Sequence, residues 1–323
     1  MIGLLFALSA ALPPLPDPSE ILVVTNKQAS TVSILSLATG KALATLPTGA
    51  GPHEATASAD GRWAVVTNYG AQQPGNSLTV VDLASLTVAR TIDLGTYTRP
   101  HGAIFLLDNK TVAVTSETTG FVVLVDVTSG QITGTRPTGQ AVSHMVAVAA
   151  DGRRAFTANI QPGTISAVDL VAGEPRILQV STQTEAIGVA PDASQAWVGS
   201  NDKGTVSTVN IAQWKVTDTL AVGSWPYRIS FSPDGRRVLV TTPNSDEIWL
   251  FDAAARRQTG RLKVAGAASR PYGIIWHPDG KSAYITLTGL NQVGVLDVDR
   301  MALTQFLDVG AAPDGIAYAR RRN

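Results

Sequence analysis

A marker present in six copies at a spacing of 41 to 45 residues with a seventh one period earlier, a hairpin-turn signal in phase with it, and half-repeats at the two chain ends predict an all-β fold: a seven-bladed propeller of four-stranded antiparallel blades. The marker is an apolar strand ending in an acidic or polar residue. It appears as Val80-Val81-Asp82, Leu124-Val125-Asp126, Ala167-Val168-Asp169, Thr208-Val209-Asn210, Leu250-Phe251-Asp252 and Val295-Leu296-Asp297, with Ile34-Leu35-Ser36 one period earlier. The turn signal is Asp60-Gly61, Asp108-Asn109, Asp151-Gly152, Asp192-Ala193, Asp234-Gly235 and Asp279-Gly280, each between two apolar runs.

One period holds four short β-like runs, seen best in Tyr227 to Ser232, Arg237 to Thr242, Glu247 to Asp252 and Gln258 to Val264. The run leading into each turn is small and apolar with little alternation, as in Met145 to Ala150, so it is covered on both faces and is the innermost strand. Ile21 to Thr25, Thr31 to Leu37 and Lys41 to Leu46 lack a first strand, whereas Pro313 to Ala319 is a first strand with nothing after it. Joining them closes the ring and removes its open edges.

Composition narrows the function. Lys plus Arg equals Asp plus Glu at 25 each, which leaves no field to hold a polyanion, so nucleic acid is not an expected partner. There is no cysteine, which excludes disulfides, thiolate metal sites, a cysteine nucleophile and covalent haem attachment. The apolar run Ile2 to Leu12 is too short to span a bilayer, so no transmembrane anchor is expected. It ends in Ser9-Ala10-Ala11 before Pro13-Pro14, which reads as a signal-peptide core and points to a periplasmic or secreted protein. The expected organisation is a leader over residues 1–19 and a single, monomeric propeller domain over 20–323.

Val23-Val24-Thr25-Asn26 and Ala64-Val65-Val66-Thr67-Asn68, with the Pro-x-Gly-Ile and Ser-Pro-Asp-Gly elements, resemble the YVTN family of seven-bladed propellers over about residues 20 to 320. Pro52-His53, Asp60-Gly61 and Asn68-Tyr69-Gly70 are also similar to lactonase-like propellers. The first resemblance implies a fold; the second implies lactonase, lyase or isomerase chemistry.

Function should sit where repeats differ at equivalent positions. The residue that opens each innermost strand is His53, His101, His144, Glu185, Tyr227, Tyr272 and Asp314, so three of the chain's four histidines share one repeat position. These openers should surround the mouth of the central channel. His53, His101, His144, Glu185 and Asp314 are then a candidate ligand set for a divalent metal ion, with the alternatives that they only hydrogen-bond channel water or perform metal-free acid/base chemistry. The fourth, His277, reads as a turn residue.

Arg99, Arg228 and Arg270 flank openers and suit a carboxylate or phosphate, unless each pairs with a carboxylate such as Glu54 or Glu117. Tyr227, Tyr272 and Trp225 complete the candidate ligand-binding set, and His53, His101, Glu54, Glu117 and Arg228 the candidate catalytic set. Tyr69 to Asn76 is the longest insertion between second and third strands and a candidate lid. Two readings follow: a propeller that binds a small anion, a metal or a protein partner without turnover, and an enzyme of lactonase, lyase or isomerase type working at the same mouth.

Overall fold

The computed structural model describes residues 17–266 and 268–322. Ile2 to Leu12 and most of the expected leader lie outside the described residues. Seven four-stranded antiparallel sheets form the ring. The closing blade, here blade 1, combines the C-terminal strand Pro313–Arg320 with Glu20–Asn26, Thr31–Ser36 and Ala42–Pro47, and Ile21 faces Ala319 in its register. Blades 2 to 7 begin with the innermost strands Pro52–Ala57, Pro100–Phe105, Ser143–Val148, Thr184–Val189, Arg228–Phe231 and Pro271–Trp276. Among the described residues no helix is long and apolar enough to cross a membrane.

The repeated markers have local causes. At the end of each third strand the Asp82, Asp126, Asp169, Asp252 and Asp297 carboxylates accept a backbone N–H two or three residues on, and Asn210 does so by its amide oxygen. The marker therefore initiates the turn to the fourth strand. The Asp-Gly signals are four-residue turns: Gly61 N–H donates to Ser58 and the Asp60 carboxylate accepts from Arg62 N–H. Gly61 has φ +71°, and Asn109 and Ala193 hold the same left-handed conformation at +58° and +54°.

The core lies between blades. Ile21, Val23, Val32 and Ile34 of blade 1 pack on Ala64, Val66 and Val81 of blade 2, and equivalent clusters separate the other blades. β-branched side chains, stiff at χ1, fill these sheet-on-sheet interfaces, and each fully buried Val or Ile contributes roughly 1.5–3 kcal/mol. Trp63, Trp197, Trp249 and Trp276 belong to the same interblade clusters.

Candidate functional site

Three local devices, repeated around the ring, aim the openers. First, the residue two positions before every opener has a left-handed backbone: Gly51, Arg99, Val142, Gln183, Trp225, Arg270 and Ala312, with φ between +46° and +63°. Only one is glycine, and there a Cβ would overlap the Gly70 carbonyl oxygen. Six non-glycine residues held in this region, one of them β-branched, represent strain concentrated at one rim. Second, pairing with the next strand is interrupted at the openers, as between Pro52 and Ala55, and the resulting bulge turns the opener out of the ladder. Third, threonines of the second strands secure the bulge. Thr25, Thr241 and Thr286 donate to the carbonyls of His53, Tyr272 and Asp314 in the next blade at 2.7–3.0 Å, and Thr115 does the same for His144. The Thr of the Val-Thr-Asn element is thus a packing device. So is its Asn: the Asn26 amide bonds Thr31 and Ser33.

The carbonyl of the left-handed residue also accepts the backbone N–H of the residue that starts the loop between second and third strands. Lys27, Tyr69, Glu117, Ile160, Asn201 and Thr288 are clamped in this way by Ala312, Gly51, Arg99, Val142, Gln183 and Arg270. This second ring of variable residues sits directly over the openers. Glu117 and Tyr69 were marked by the sequence; Lys27 and Asn201 were not. The signal for them is their place immediately after the Val-Thr-Asn position.

The openers meet at the axis. His53, His101, His144, Glu185, Tyr227 and Asp314 are buried and Tyr272 is half-buried. The His53 and His101 ring centroids are 4.9 Å apart and those of His101 and His144 are 3.5 Å apart. The His144 Nδ1 lies 2.8 Å from Glu117 Oε2, and its Nε2 makes an ion-pair contact of 3.3 Å with Glu185 Oε1. Glu185 also accepts from the Trp225 indole N–H at 2.9 Å and from the Asn201 amide. Across the mouth, the Tyr227 hydroxyl donates to Asp314 Oδ1 at 2.9 Å, and Lys27 Nζ is 3.5 Å from Asp314 Oδ2.

The three histidines have different charge states. Burial pushes His144 toward neutrality, but the Glu117 and Glu185 carboxylates outweigh it and raise its pKa to about 9; Glu185, likewise penalised by burial, is held at about 2 by His144. Burial drives His53 down to about 4, against the pull of Asp314. His101 is likewise pushed well below its ordinary value by burial and the positive charge of His144, and neither of its ring nitrogens has a partner among the described residues. His53 Nδ1 is 3.0 Å from the Gly51 carbonyl, which can only accept, so a neutral His53 carries its proton there. Its Nε2 keeps a lone pair, with no hydrogen bond among the described residues and no seal from solvent.

The geometry bears on the expected metal site. The His53 and His101 rings meet edge to face, those of His101 and His144 lie tilted against each other, and His144 sits between two carboxylates. Among the described residues no group of three or more His, Asp or Glu is arranged to hold a metal ion. His53, His101, His144, Glu185 and Asp314 are neighbours without being a ligand set.

Of the two alternatives for the arginines, a free rim cation or a pair with a carboxylate such as Glu54, Arg228 takes the second. Arg228 belongs to the inner strand itself and turns inward. Its Nη2 pairs with Glu54 of the opposite side of the ring, and its Nη1 donates to the Tyr227 carbonyl at 2.7 Å. Burial opposes the guanidinium charge, but Glu54 keeps it protonated above its ordinary range; burial likewise raises the Glu54 carboxyl, and Arg228 opposes that rise. Glu54 and Arg228 therefore form a second layer beneath the openers. Arg99 and Arg270 occupy the left-handed series at the rim, where Arg99 covers the Tyr69 ring at 4.6 Å and Arg270 is exposed. Trp225 belongs to that series as well, two residues before the opener Tyr227.

The insertion after Tyr69 is a hairpin extension in which Gly70 pairs with Pro74. It meets the openers through Tyr69, whose ring stacks 4.2 Å from His53 and lies edge-on to His101, and whose hydroxyl donates to Glu117 at 3.0 Å. His277 lies on the opposite face, between Glu20 and Asp279.

A family model described as "Lactonase, 7-bladed beta-propeller" matches residues 103–322. The chain belongs to this family. No protein of curated function matches it. Among solved structures, hydrazine synthase of Kuenenia stuttgartiensis is similar with a TM-score of 0.74 and 20% identity, covering 82% of this chain and 89% of that one. A functionally unknown protein from Desulfotomaculum acetoxidans superposes with a TM-score of 0.76 at 13% identity over 94% and 99% of the two chains. The dihydro-heme d1 dehydrogenase NirN, solved in complex with DHE, gives 0.65 at 17% identity over 95% and 78%. At these identities the structural likenesses establish the lactonase-like propeller fold alone.

Proposed function

We propose that the channel mouth binds a small hydroxycarboxylate. The observation that carries this reading is His53: a neutral imidazole with its Nδ1–H fixed on the Gly51 carbonyl, its Nε2 lone pair free, and cations in its neighbourhood. The Lys27 side chain is one-third exposed beside Asp314, and Arg99 lies over the Tyr69 ring that stacks on His53. Lys27 and Arg99 suit a carboxylate, and Nε2 suits a hydroxyl donor on the same molecule. Tyr272 and Trp225, half-buried at the far rim, offer an apolar wall.

The family match favours a second reading, hydrolysis of a lactone to such a hydroxy acid. His53 Nε2 takes a proton as water adds to the lactone carbonyl carbon. The acyl C–O bond to the ring oxygen then breaks, and the imidazolium returns the proton to that oxygen. Glu117 and Arg228 would position rather than transfer protons, since both are already engaged.

Calorimetric titration with hydroxycarboxylates, their deoxy analogues and phosphorylated sugars, at two salt concentrations, tests the binding reading. Affinity should fall with salt and with Arg99→Gln, and should fall again when the hydroxyl is removed. Indifference to salt and to Arg99→Gln would remove it. A lactone screen with His53→Gln as control tests turnover. Export is part of the same proposal, and N-terminal sequencing of the mature protein from a periplasmic fraction checks it.

A further inference from the structure

Beneath the mouth the axis widens into a chamber of about 160 Å³, walled by residues one to three positions further along the inner strands. Met145, Ile187, Ile229, Ile274 and Ile316 contribute apolar side chains to a wall that is otherwise largely polar, and the Glu54–Arg228 pair lies at one end. Met145 and Ser230 of the wall are only half-buried, so the chamber communicates with solvent. The space is that of roughly five water molecules.

We propose that this chamber is a binding site for a small neutral carbonyl compound, distinct from the mouth above it. Arg228 is 6% exposed, two of its nitrogens are engaged by Glu54 and the Tyr227 carbonyl, and its Nε is buried with no partner among the described residues. A buried donor without an acceptor is costly, and a ligand that supplies one regains that cost. The charge is already balanced: an added anion would face Glu54 and an added cation would face Arg228. What remains favourable is an apolar body with one uncharged acceptor, and a carbonyl oxygen meets that need.

The methionine methyl groups report on the chamber. Met145 lines it, whereas Met301 lies at an outer interface of blades 6 and 7 and serves as control. Full-length protein with ¹³C-methyl methionine is titrated with cyclopentanone, cyclopentane and cyclopentanecarboxylate. Cyclopentanone should shift the Met145 methyl saturably and leave Met301 in place. Cyclopentane should bind about tenfold more weakly for want of the hydrogen bond, and the carboxylate should not bind. Arg228→Lys, which keeps the charge beside Glu54 but lacks Nε, should weaken the ketone about fivefold or more. No shift with any ligand, equal binding of ketone and hydrocarbon, or preference for the carboxylate would each overturn the proposal. Should Arg228→Lys fail to fold, the three ligands on the unaltered protein decide the matter.

Discussion

At the scale of single residues, the three adjoining histidines show how one side chain takes two roles at one repeat position. His144 sits between carboxylates and carries charge; His53 and His101 are buried and neutral. The signs give a stability profile with two limbs. A His53 pKa of about 4 against about 6.5 unfolded means that the unfolded chain takes the proton first as pH falls, so stability is lost between those values, and His101 acts in the same direction. The raised pKa of His144 works the other way: its contribution is complete below about 6.5 and is lost as pH rises through about 9. Denaturant unfolding of the wild type, His53→Gln and His144→Gln across pH 4–9 checks this. His53→Gln should flatten the acid limb by on the order of 2–3 kcal/mol and His144→Gln should flatten the alkaline limb. Unchanged limbs in both variants would mean that these charge states are misassigned. None of this was legible in sequence. The repeat position of the histidines was, but whether an imidazole offers a lone pair or a charge depends on Glu117 and Glu185, which come from other strands.

At the scale of the element, the strand openings are set by backbone conformation as much as by side chains. Asp-Gly turns announce their left-handed residue by its type. The rim series does not: Arg99, Val142, Gln183, Trp225, Arg270 and Ala312 share a conformation but no chemistry. The second ring escaped for a related reason, since Lys27 and Asn201 follow a recognisable Asn or Ser but have no type in common. The strain is testable at Val142, the β-branched member. Val142→Gly should raise stability by about 1 kcal/mol, the relief of left-handed strain exceeding the added chain entropy, with a higher melting temperature in calorimetry. A loss of 1 kcal/mol or more would show that the valine side chain contributes more by packing than its backbone costs.

At the scale of the molecule, the ring was legible because its period, turns and half-blades are local and repeated; even the register partner of the last strand follows from counting. Closure rests on the pairing of Pro313–Arg320 with Glu20–Asn26. Removing residues 313–323 strips the inner strand from blade 1, removes Asp314 from the mouth and exposes an unpaired edge. The shortened chain should elute as soluble aggregate in size-exclusion chromatography; a monodisperse, cooperatively unfolding product would contradict the role given to this strand. Convergence of one repeat position from every blade is what turns seven unremarkable strand starts into one site, and it places at His53 an imidazole nitrogen that is unpartnered among the described residues and, unlike those of His101, open to solvent. The most direct test is therefore a long-range ¹H–¹⁵N spectrum of the histidine rings, four in the chain, with and without a small hydroxycarboxylate at neutral pH. The expected result is a saturable shift of the His53 Nε2 resonance, with His144 remaining in its doubly protonated form. A His53 signal that stays in place while His277 alone responds, or no response in any ring, would contradict a binding site at the mouth.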